Sequence, residues 1–489
     1  MLKNKLNISF SKLDNKWLIA TLFFLTIYCL ISLVNHYCFR TYAWDLGIFN
    51  NAIYDYSRFR WNDGCVFREI PENLLSDHFD LYLLLFSPLS HVFGEYTLLV
   101  VQISAIIIGS KGVYKYIQLI SDNNQLALFA SIHFYLFFGI YSALSFDYHS
   151  NVVAALISPW FFVYLKEKKL SKAIAMFVMI GIAKETMPLW LFCICLAAAI
   201  EFRKEKKTRT ILILLSIIGL VWFASLVKVV MPAISIHNGY HHFNYQILGN
   251  SFEEAFLNIL KHPIKTIEYL FTNHSGKNYN DGIKLEFWQF ILLSGLPFLI
   301  ARPWFLIALI SPLFVKMFNS NPTIWSIDAH YSIEFAAILS LGVFSSINQI
   351  KNNALKYTTV SLVLFGSLYC TFKYFDGTVY WHPYERIRFY QADHYTNNYS
   401  IKEAHNMIDM VPKNAIVSAQ SPFVPHFAYR DKAYQFPVIR DAEYIMVCSK
   451  EYFYPIDEKE FNQKIEELKS SGEWELIKEH EGLMLFKRK

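Results

Sequence analysis

The sequence predicts a polytopic α-helical membrane protein of about 11 spans, with a small extracytoplasmic α/β domain at its C-terminal end. Three observations lead there. Of 489 residues, 54% are hydrophobic and only 17% are charged, whereas soluble globular chains carry about a quarter charged residues. Apolar runs near the ~20-residue bilayer length recur from Trp17 to Cys370, each able to satisfy its backbone internally as a helix. From Lys373 charged residues return and no such run follows, which divides the chain into 1–372 and 373–489.

The first element is a signal anchor. A basic Met1-Leu-Lys-Asn-Lys precedes the apolar Trp17–Val34, and no small-x-small cleavage site follows. An external loop, 35–96, comes next. Within it Asp45–Arg58 and Leu74–Phe93 are aromatic and amphipathic, the second interrupted by Pro88, and read as interfacial helices. Cys38 and Cys65 share this loop, so a disulfide between them is one option.

Further spans are expected at Thr97–Ile117, Leu126–Leu144, Val152–Leu165, Ala173–Met187, Leu189–Phe202 and Thr210–Val230. After a second external loop, 231–286, come Phe287–Ile300, Trp304–Phe318, Ile333–Ile347 and Tyr357–Phe372. In that loop Phe252–Leu260 and Ile264–Phe271 read as amphipathic surface helices. The His237-Asn-Gly-Tyr-His-His-Phe-Asn-Tyr stretch suits either sugar stacking or plain solvation. In the tail, alternation predicts strands at Ala415–Ala419, Tyr444–Cys448, Trp474–Lys478 and Leu483–Lys487, with a helix over Glu458–Ser470 before Gly472. The tail has no phosphate loop and no nucleophile motif, so docking is expected of it rather than catalysis.

Net charge is +5. It reports topology, not nucleic-acid binding. Lys3, Lys5, Lys12 and Lys16, the Lys166–Lys172 loop, the Arg203–Arg209 loop and Lys351 with Lys356 all thread to one side. By the positive-inside rule that side is cytoplasmic, which places the chain in a cell (inner) membrane with its tail outside.

The same threading gathers Asp45, Asp77-His-Phe-Asp80, Phe146-Asp-Tyr-His149, Lys184-Glu185 and Asp328-Ala-His330-Tyr331-Ser on the outer side. Ionisable groups at a membrane edge are costly and usually line a cavity or pair. Each has a plainer reading alone. Asp45 precedes a plausible first helical turn and can simply cap it, Lys184 can snorkel, and single histidines usually pack.

Asp45-Leu-Gly-Ile-Phe-Asn, His78-Phe with Ser87-Pro-Leu, Phe146-Asp-Tyr-His149 and Lys184-Glu185 resemble the domain-of-unknown-function 2079 family of membrane proteins. That family in turn is similar to GT-C glycosyltransferases, which take sugars from polyprenyl-phosphate carriers. The resemblance implies transfer of a sugar to an acceptor glycan, lipid or protein on the outer side. It implies Asp45 as general base, worth about 10²–10⁴ in rate. Lys184, His78 and His149 would face the departing phosphate, with Glu185 or Asp147 orienting them. His330 and Tyr331 complete the expected substrate site. Histidines beside carboxylates also suit a divalent metal. No metal-binding DxD is present, since Leu46 follows Asp45. The alternative is a transporter or lipid-binding protein without covalent chemistry, for which inverted repeats and midplane charges are expected; neither is apparent.

Overall fold

The computed structural model describes residues 12–66, 70, 72–237, 239–381 and 383–489. Lys3, Lys5 and Asn238 lie outside them.

Most of the chain is helical. Among the described residues three helical runs are long and apolar enough to cross a bilayer, Asn15–Tyr37, Tyr82–Ser121 and Lys206–Ile234. Asn124–Leu136 and Phe138–Leu144 make a fourth if taken as one span bent by 43°. The break is at Phe137, whose backbone is extended. The other expected spans are shorter or broken. Leu170–Gly181 and Met187–Glu201 have 12 and 15 residues, and the run from Ser150 to Lys166 is interrupted ahead of Pro159. Short helices persist because neighbours surround them: every residue of Ile333–Ile347 is buried. Backbones approach closely where side chains vanish. A Cβ on Gly109 would fall 1.9 Å from the Leu156 carbonyl oxygen, and one on Gly366 would fall 2.2 Å from that of Leu293.

The loop 35–96 departs from its sequence reading. Its first helix begins at Ile48, not Asp45, and is buried along nearly its whole length. The second interfacial segment is a single turn at Leu74–Ser76, after which the helical run from Tyr82 continues to Ser121. Pro88 is tolerated at the start of a 3₁₀ turn, where a missing N–H costs nothing. Cys38 and Cys65 are free thiols. The Cys65 sulfur sits 3.8 Å from the Ala433 carbonyl, turned toward the tail and not toward Cys38. The helices Phe252–Lys261 and Pro263–Tyr269 expose Phe256, Leu260, Ile264 and Ile267, an apolar face fit for a membrane surface.

The basic loops meet at one end. Lys166 donates to Glu201 at 2.9 Å and Arg302 to the same carboxylate at 3.3 Å. Nearby, Asn348 reaches the Ile120 carbonyl and Asn123 reaches Tyr357.

The tail forms a five-stranded sheet of order β2-β1-β3-β5-β4. Its strands are β1 (Val417–Ala419), β2 (Ala433–Gln435), β3 (Tyr444–Cys448), β4 (Trp474–His480) and β5 (Leu483–Arg488). β1 runs parallel to β2 and β3, and the pairs β3/β5 and β4/β5 are antiparallel. Alternation divides its faces. Ile445, Val447, Met484 and Phe486 pack under the helix Glu458–Ser470 through Phe461, Ile465 and Leu468. Tyr444, Met446, Cys448 and Leu485 form the other face, and Phe39, Ala43 and Val66 of the first external loop join them there. The loop is therefore part of the tail's hydrophobic core.

Candidate functional site

Asp45 occupies a sharp bend, with φ 70° and ψ −101°. That conformation is strained for a residue with a side chain and persists only when neighbours impose it. Asp147 is one of them: its Oδ2 accepts from the Tyr42 N–H at 2.9 Å while Arg386 donates to its Oδ1 at 3.2 Å. The tail supplies others. The Ala43 N–H donates to Ser421 at 3.2 Å, and Val424 presses against Gly47, leaving 3.1 Å to where a Cβ would stand. Asp45 does not cap the following helix, whose N-cap is Gly47.

The Asp45 carboxylate instead faces His149, with Oδ1 3.2 Å from Nε2. His149 stacks on His330 at 3.5 Å between ring centroids, and His330 lies against Tyr331 at 4.1 Å. Beyond these rings opens a cavity of about 490 Å³. His330, Tyr331, His78, Lys184 and Glu185 line it together with Trp44. Asp45, with its side chain 30% exposed, and His149 adjoin that lining through the His149–His330 stack, and Asp147 pairs with Arg386. Of the eight sequence-derived site residues, the structure thus brings five to one cavity, sets Asp45 and His149 at its edge, and gives Asp147 to the bend.

Charge is unevenly held. Enclosure raises the Asp45 pKa, but His149, with His78 and Lys184 further off, outweighs it and keeps the carboxylate below its usual range. Burial pushes Asp147 up to about 7 against the pull of Arg386. Glu185 is also buried, yet His78 at 3.4 Å brings it down to about 2. Burial, then His149, holds His330 well below the ordinary imidazole value, so that ring is neutral. Asp80 and Asp328 are pushed up to about 7 by burial.

Several lining residues escaped the sequence reading. Lys316 ends within an apolar helix, where its ammonium donates to the carbonyls of Ile324 and Ser326; a lysine inside an apolar run was the available signal. Glu334 accepts from Asn151 at 3.0 Å. Tyr240 and His242, by contrast, belong to the His237–Tyr245 stretch that the sequence already singled out for sugar stacking or plain solvation, and they reach the cavity from the loop 231–286. His242 stacks on His78 at 4.3 Å and lies 2.8 Å from Asp77. Ligand atoms of Asp77, His78 and His242 all fall within 4.8 Å of one another, which makes this trio a metal-capable group at the cavity's edge.

No curated protein matches the sequence. Among solved structures the chain is similar to the arabinofuranosyltransferase AftD from Mycobacteria, determined by single-particle cryo-EM, with TM-score 0.50 and 11% identity. The similarity covers 97% of this chain and 40% of that one, so the chain spans less than half the length of the protein it resembles. The likeness is one of fold. Residues 35–485, including both the bend and the sheet, match the family described as predicted membrane protein, DUF2079. The chain belongs to that family.

Proposed function

We propose that the protein is a membrane glycosyltransferase that moves a sugar from a polyprenyl-phosphate carrier to an acceptor hydroxyl on the extracytoplasmic side. The observation that carries this reading is the pairing of Asp45 and His149 beside a cavity lined by Lys184 and Lys316. In the reaction Asp45 takes the proton of the acceptor hydroxyl. The freed oxygen bonds to the anomeric carbon as the bond from that carbon to the carrier phosphate breaks. Lys184 faces the departing phosphate, where positive charge stabilises the transition state. A divalent ion, if the reaction uses one, would be held by Asp77, His78 and His242 and would add charge at that same phosphate.

The orientation follows from where charges gather. Lys166, Arg302 and Asn348 cluster at the end remote from the cavity, which supports a cytoplasmic basic end and an external sheet. The apolar face of Phe252–Lys261 supports access for a lipid carrier.

The test follows sugar leaving a polyprenyl-phosphate carrier in proteoliposomes. Asp45→Asn should lower turnover by about two or more orders of magnitude at normal expression. Turnover equal to wild type would remove Asp45 from the chemistry.

A further inference from the structure

A second histidine–carboxylate group lies away from the cavity, where three distant parts of the chain meet. His36 ends the first helix, Glu95 stands in the turn before Thr97–Ser121, and His426 belongs to the tail's short helix Val424–Phe427. Both imidazoles are buried and stack at 4.2 Å with only 8° between their planes. His36 Nε2 lies 3.6 Å from the Glu95 Oε1, and His426 Nδ1 lies 3.1 Å from the same oxygen.

Their outer nitrogens decide what sits between them. His426 Nε2 faces the His36 carbonyl oxygen at 3.1 Å, so it carries a hydrogen and donates. His36 Nδ1 contacts the Thr41 hydroxyl at 2.8 Å, a partner able to accept in the same way. With the Thr41 hydroxyl accepting, each ring turns a lone pair toward the Glu95 carboxylate, and His36 Nε2 is buried with no hydrogen-bond partner. Three electron-rich atoms converge on an unfilled point. A proton on His426 would satisfy one of these contacts and leave His36 Nε2 as it is. A cation satisfies all three.

We infer that His36, Glu95 and His426 bind a divalent transition metal of zinc type and so fasten the C-terminal sheet to the membrane body. Two imidazoles and a carboxylate suit zinc and exclude calcium and magnesium, which prefer oxygen alone. The separations of 3.1 and 3.6 Å bracket the edge of about 3.3 Å expected between ligands of a tetrahedral ion with bonds of about 2.0 Å. Thr41 and the His36 carbonyl act as the outer partners that fix ligand tautomers in such sites. Glu95 is 29% exposed, so water reaches a fourth position. The tie has a purpose in place. Ser421 and Val424, which hold the Asp45 bend, lie on the same segment as His426.

The experiment uses the full chain in phosphatidylglycerol–phosphatidylethanolamine nanodiscs. It carries Asp77→Asn and His242→Asn, so that the cavity trio cannot contribute. Metal is stripped with chelator, zinc is restored, and the dialysed protein is analysed for metal. About one zinc per chain should remain, and cobalt in its place should show the intense visible bands of tetrahedral coordination. Adding Glu95→Gln should abolish both, and chelator should render the tail more sensitive to protease. Less than about a tenth of a zinc per chain, or a weak octahedral cobalt spectrum, would overturn the proposal. So would undiminished zinc in the Glu95→Gln chain. The cobalt spectrum needs no change at Glu95, so it decides the matter even if that variant misfolds.

Discussion

At Asp45 the backbone and the side chain have separate guardians, and substitutions can tell them apart. His149 supplies the largest favourable influence on the carboxylate's charge, against burial, which opposes it. A depressed carboxylate pKa means that the charge survives as pH falls, so the acid limb of the wild-type rate profile should lie below the ordinary aspartate range. His149→Gln removes that influence. Asp45 then rises, and the acid limb should move upward in a plot of initial rate against pH; an unmoved limb would show that His149 does not set the charge. Lys184→Met differs in kind, because it removes positive charge opposite the leaving phosphate. It should weaken binding of the polyprenyl-phosphate donor as well as slow transfer, which donor titration in proteoliposomes would separate.

Among elements, the segment after the last long helix matters through one arginine. Arg386 pairs with Asp147 where both side chains are almost fully buried. Its backbone carbonyl also accepts from Asn35 at 2.7 Å. Losing Arg386 removes the pull that holds the Asp147 pKa down, so the buried carboxyl takes up a proton and its acceptor contact with the Tyr42 N–H weakens. Arg386→Met should therefore lower the unfolding temperature in detergent markedly, and adding Asp147→Asn should restore much of it. A double variant as unstable as the single one would show that the pair itself is not what matters. None of this was legible beforehand. Asp147 was visible as a carboxylate in an external loop, but its partner lies 239 positions away, and no local pattern announces a contact of that range. Strands β1, β3, β4 and β5 and the helix Glu458–Ser470 were legible because period-2 and period-3.6 patterns are local. β2 has three residues and no alternation to speak of, so it went unread. Helix lengths misled for another reason. Apolar runs in sequence continue through bends such as Phe137 and Pro159, where the helix itself does not.

For the whole molecule, the sided distribution of charge predicts opposite accessibility for its two ends. Single cysteines placed near Lys168 and near Asp457 should be labelled from opposite faces of sealed vesicles; labelling from one face would refute the threading. The fold also binds its first segments to its last. Arg40 donates to the carbonyls of Glu385, Asp393, His394 and Thr396, and His426 donates to that of His36 across 390 positions. A ribosome adding roughly 5–20 residues per second needs about 20–80 s to cover that distance. Through most of that interval Asp147 is already made, but the Asp45 bend still lacks Ser421 and Val424. On the proposed function a nascent chain is thus inert until the segment carrying Ser421 and Val424 emerges, and a chain truncated before it leaves the helical body without the tail's hold on the Asp45 bend.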